Sequence, residues 1–217
     1  MGNGSILGSY YKTIIEPNKF FHELLEQPNI LRPFLIILLS GMALTAATFP
    51  HTYKEIQDLF GLGSSLSTAA IVFIILALMI CGSALIEWVM LSVFIYFITA
   101  LLSPASSSFR TVFSVAGFSW VPIILKTLSF AALVLITGKV FQPVGMQILF
   151  PNLDNHAVVA MLNQVEPFFI WQFVLLYFGV KVLLKSSSPM TPLLVVVITF
   201  AANLALKTIP ALMTSFL

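Results

Sequence analysis

Residues Leu66–Leu102, LSTAAIVFIILALMICGSALIEWVMLSVFIYFITALL, hold one charged side chain, Glu87, in 37 positions. At a rise of 1.5 Å per residue such a run makes a helix of about 55 Å, against a hydrocarbon core of about 30 Å. It reads as one long tilted helix or as two short ones, and as membrane-spanning in either case. The rest of the chain fits the same setting. Of 217 residues, 59% are hydrophobic and only 8% charged, with a mean hydropathy of +1.04. That leaves too little polar surface to cover a water-soluble globule. The expected fold class is all-α, a polytopic membrane helical bundle.

Four further spans are expected, over residues 33–49, 113–138, 167–184 and 192–213. The first carries Gly41, Ala43, Ala46 and Ala47, small enough for close helix contact, and is expected to close at Pro50. A polar loop, 51–65, follows with Lys54, Glu55 and Asp58. Loops 103–108 and 186–189 are rich in Ser and Pro and separate the later spans. Between 142 and 166, Val158, Met161, Leu162 and Val165 fall at helical spacing and suggest a helix lying in the interface.

Cytoplasmic loops collect Lys and Arg, and this decides the long run. If it is one helix, Lys12, Lys19, Arg32, Arg110, Lys181 and Lys185 share a side, against Lys54 and Lys139 on the other. If it is a hairpin, the split becomes even. Five spans, with the N-terminus in the cytoplasm and the C-terminus outside, is the better reading. Residues 1–32 then form a cytoplasmic segment ahead of a five-span region, 33–217. Within the segment, Phe20, Phe21, Leu24 and Leu25 lie on one face of a short helix, bounded by Pro17 and Pro28, and Lys19, His22, Glu23 and Glu26 on the other. The pattern is that of an interfacial helix resting on the cytoplasmic surface. No apolar core precedes a cleavage site, so a removable signal peptide is not expected, and Ile6 stands where a myristoylation signal needs Ser or Thr.

Ionisable groups at bilayer depth cost about 2.5–3.5 kcal/mol each on insertion scales and are the first place to look for function. Glu87 and Lys126 fall at similar depth on consecutive spans and are expected to pair. The pair is either a structural lock between helices or a polar site for an ion, a proton or a headgroup. Lys207 reads as a snorkelling anchor, and Ser114 and Ser119 as hydroxyls that extend the polar site or glue helices together. Gly117 and Pro122 are expected to bend the third span.

Other chemistry is not expected. The single cysteine, Cys81, lies in an apolar run, which excludes an intramolecular disulfide. His51, His156, Asp58 and Asp154 contain no pair at metal-ligand spacing, and no hydrolase elbow or phosphate-binding glycine loop occurs. The chain reads as a non-enzyme without cofactor or metal. Its net charge of +2 is spread without a basic block, so a nucleic-acid partner is not expected either.

Residues 15–21, Ile-Glu-Pro-Asn-Lys-Phe-Phe, followed by Gln27 and Pro28, resemble the Pro-x-x-Phe-Phe opening of bacterial members of the Yip family, the Ypt/Rab-interacting membrane proteins. Residues 109–122, FRTVFSVAGFSWVP, resemble that family's Ser-Val-x-Gly-aromatic stretch leading to a proline. The resemblance covers residues 14–205 and implies a small helical bundle with a cytoplasmic N-terminus. Eukaryotic members are linked to vesicle trafficking and to prenylated Rab-type GTPases. This chain lacks their long N-terminal region and their Asp-Leu-Tyr-Gly-Pro motif, offering Leu31-Arg32-Pro33-Phe34 instead. Both departures speak against Rab binding and favour a prokaryotic relative in the plasma membrane. Two functions are then expected: a non-enzymatic protein that organises membrane lipids or binds protein partners, or a small oligomeric transporter or lipid scramblase built around Glu87 and Lys126.

Overall fold

The structure is a computed structural model and describes residues 6–61, 63, 65–102, 108–141, 145–153 and 155–214. Helices account for nearly all of them, and no strand occurs among the described residues.

The chain opens with two short helices, α1 (Ile6–Ile15) and α2 (Pro17–Glu26). Pro17 sits in the first turn of α2, where its missing N–H costs nothing. The expected amphipathic helix is therefore present, preceded by a helix that the sequence did not signal. Its apolar face is not free for lipid, and this corrects the interfacial reading. Phe20, Phe21 and Leu24 are buried in the protein's own core, and Leu25 packs against it. Phe20 meets the Phe118 ring edge-on at 4.9 Å, and Tyr10 of α1 lies 5.5 Å from the same ring. The N-terminal segment and the spans thus share one core.

Helix α3 (Leu31–Phe60) starts where the Asn29 carboxamide oxygen accepts the Arg32 amide at 3.0 Å, and ends at Gly61, whose φ of 62° suits only a residue free to enter the left-handed region. It runs through Pro50, so the expected span end is absent, and most of the loop expected from His51 onward is helix out to Phe60. Pro50 removes one backbone bond, but Phe49 beside it stacks on Tyr53 at 5.3 Å and meets Phe73 edge-on at 5.3 Å, which ties the extension to the next helix.

Helix α4 (Leu66–Leu102) is continuous, which settles the choice between one helix and two. Ile71, Ile74, Ile75, Leu78 and Met79 of its first half point outward, as a helix apolar on all sides must in lipid. It crosses α3 closely at Gly41, where an added Cβ would lie 2.8 Å from Cys81 Sγ.

The third span begins at Phe109, earlier than expected, and is two helices, α5 (Phe109–Ser119) and α6 (Val121–Thr137), interrupted at Trp120. Pro122 cannot donate to the Phe118 carbonyl, and the Trp120 amide shortens its reach to Gly117 O at 3.3 Å. The interruption lies between Gly117 and Pro122. Gly117 also admits a close neighbour, since a Cβ there would stand 2.7 Å from Pro33 and 2.9 Å from Trp88.

Helix α7 (His156–Gln164) meets α8 (Pro167–Leu183) at a bend of 64°, and α9 (Met190–Thr214) closes the bundle. Helices α3, α4, the α5–α6 pair and α9 are each long and apolar enough to cross a bilayer, which makes four candidate spans, or five where the bent α7–α8 pair counts as one. The helix expected between 142 and 166 is α7, packed against α9. Residues 103–107, most of the expected Ser/Pro loop, together with 142–144 and Asp154, lie outside the described residues.

Candidate functional site

Four charged side chains meet near mid-height of the bundle: Glu87 on α4, Lys126 on α6, Glu166 at the start of α8 and Lys207 on α9. Leu102 ends α4, Phe109 begins α5, Leu183 ends α8 and Met190 begins α9, and all four of these residues belong to one end of the bundle. Measured from them along the helices at 1.5 Å per residue, the four charges lie about 22–26 Å from that end.

They pair across helices, but not as the sequence suggests. Lys207 Nζ is 2.5 Å from Glu87 Oε1, and Lys126 donates to Glu166 Oε1. The expected Glu87–Lys126 pair is thus replaced by two pairs, α4 with α9 and α6 with α8. Depth had matched Glu87 to Lys126; which faces the helices turn toward each other decides the partner. Lys207 is not a snorkelling anchor: its ammonium faces inward and also stands 4.7 Å above the Phe169 ring. Glu166 is the residue that sequence reading missed. It is the N-cap of α8, where a carboxylate is favoured by the helix dipole, and the proline after it was the available signal of a helix start at bilayer depth.

The pairs are partly sheltered, with side chains 16–32% exposed. Beside Glu87 a cavity of about 150 Å³ is lined by Ser40, Ser83, Trp120 and Thr127 among apolar neighbours. The three hydroxyls each donate to a carbonyl of their own helix, at 2.8–3.0 Å. The Trp120 indole N–H is buried without a partner among the described residues. Ser114 and Ser119, expected to extend the polar site, do not line this cavity: both are fully buried and donate to Arg110 O at 3.0 Å and Ala116 O at 2.7 Å. No group of His, Cys, Asp and Glu among the described residues could hold a metal ion. The arrangement can hold helices together through charge.

No curated protein and no solved structure matches the chain. The family model of the Yip1 domain matches residues 11–207, which takes in α2, reaches every span and includes both ion pairs. This integral multi-pass membrane protein belongs to the Yip1-domain family.

Proposed function

We propose that the chain is a non-enzymatic membrane scaffold that organises the bilayer or holds a protein partner through its surface, and that it neither transports nor catalyses. The observation that carries this reading is the closure of the polar layer. Each mid-height charge is neutralised by a partner on another helix, so the four act as fasteners between α4 and α9 and between α6 and α8. A conduit needs at least one such group free to exchange its partner for an ion or proton. The distribution of Lys and Arg supports a cytoplasmic N-terminus, with the C-terminus on the opposite side. The stretch Leu31-Arg32-Pro33-Phe34, where eukaryotic members carry Asp-Leu-Tyr-Gly-Pro, supports a prokaryotic plasma membrane.

The second reading, a small oligomeric transporter or lipid scramblase, draws on the cavity beside Glu87, whose lining includes the hydroxyls of Ser40, Ser83 and Thr127. Proteoliposome flux separates the two. Wild-type protein is expected to move neither fluorescent phospholipid nor small ions faster than empty vesicles. Flux above that background, lost in Glu87→Gln with the fold intact, would replace the scaffold by a transporter.

A further inference from the structure

At the end of the bundle where α4 and α8 finish, a cavity of about 560 Å³ opens between the N-terminal helices and the starts of α3 and α5. Ser9, Lys12, Glu23, Arg32, Arg110 and Phe118 are among the residues lining it. Three cations thus face one carboxylate. Lys12 takes up that carboxylate, with Nζ 3.3 Å from Glu23 Oε2. Arg32 Nη1 donates to Ser9 Oγ at 2.7 Å, which holds the guanidinium in place through one of the five N–H donors such a group carries. Among the described residues neither Arg32 nor Arg110 has a carboxylate within ion-pair distance.

The placement of the two arginines is unfavourable as it stands. Each is the second residue of its helix, α3 or α5, where the helix dipole is positive and acidic side chains are preferred. Two guanidinium groups and two helix starts converging on one cavity make a site for an anion, and the planar guanidinium fork matches phosphate in particular. The cavity has the size of a small-ligand pocket. Phe20, Leu24 and Phe118 give it an apolar wall beside the charged one.

We propose that this cavity binds a phosphate group, held by Arg32 and Arg110. The site is separate from the mid-height charge layer, and the proposal holds whether or not the bundle conducts. Two sources present this chemistry at a membrane surface: the headgroup of an anionic phospholipid and a free phosphate. The test is thermal unfolding of the full chain in phosphatidylcholine nanodiscs, with phosphatidylglycerol added to the bilayer or inorganic phosphate added to the buffer. Arg110→Gln is the main variant, because Arg110 is exposed and its side chain takes part in no ion pair among the described residues. Lys54→Gln, at the opposite end of the bundle, controls for charge.

Stabilisation by phosphatidylglycerol that Arg110→Gln weakens by about tenfold in apparent affinity, with Lys54→Gln unaffected, is the expected result and assigns a lipid headgroup. The same pattern with inorganic phosphate alone also supports the site and assigns a soluble phosphate. No stabilisation by either probe, or stabilisation equal in wild type, Arg110→Gln and Arg32→Gln, would overturn the proposal.

Discussion

The Tyr10 hydroxyl is buried without a hydrogen-bond partner among the described residues, in the field of Arg32. Burial pushes its phenol well above the ordinary value, more than the nearby Arg32 charge lowers it. A raised folded-state value means that the folded chain keeps a proton which the unfolded chain gives up above about pH 10. Stability from this group is therefore complete below about pH 10 and is lost as pH rises beyond it. Tyr10→Phe is expected to flatten that alkaline loss and, by removing an unpaired hydroxyl, to leave neutral-pH stability unchanged or higher by about 1 kcal/mol. Unfolding curves in detergent on either side of about pH 10 check both parts. Gly179 is a second residue whose role is local. A Cβ there would collide with Val115 Cγ1 and stand 3.4 Å from the Phe21 ring. Gly179→Ala is expected to cost about 1–3 kcal/mol through overpacking, and Val115→Ala on the same background to recover part of it. If both variants melt with wild type, the α5–α8 contact is looser than described.

At the scale of elements, α2 is the helix whose environment differs most from its sequence signature. Amphipathic spacing states that one face is apolar and not what covers it; here α5 and α8 cover it before lipid can. Phe21, fully buried, anchors the contact. Phe21→Ala is expected to cost about 3–5 kcal/mol and to expose residues 16–28 to protease while the spans stay folded. A digestion pattern identical to wild type would contradict the docking. Other elements were readable in proportion to how local their signals are. The near absence of charge over 37 residues announced α4, and Pro17 announced α2. Pro50 misled because aromatic contacts formed by Phe49 with a residue distant in sequence carry α3 past it. The ion pairs were half legible. Glu87, Lys126 and Lys207 were visible as charges in apolar runs, but partner choice depends on helix rotation, and Glu166 became a bundle residue only through the 64° bend between α7 and α8.

Over the whole molecule, helices of very different length are held in one register. Helix α4 spans about 55 Å and α8 about 25 Å, and bilayer burial alone gives little preference for one rotation or shift over another, since lipid and helix faces are equally apolar. The two ion pairs supply that preference, because a mispaired charge at bilayer depth costs far more than a mispaired leucine. Glu87 with Lys207, and Lys126 with Glu166, thus lock the bundle into one closed arrangement. Charge exchange tests it most directly, by measuring folded yield and thermal stability in detergent for paired reversals. Glu87→Lys alone is expected to lose several kcal/mol, Glu87→Lys with Lys207→Glu to recover most of that loss, and Glu87→Lys with Lys126→Glu to recover none. Rescue by the Lys126 exchange instead of the Lys207 exchange, or a Glu87→Lys variant as stable as wild type, would contradict the lock.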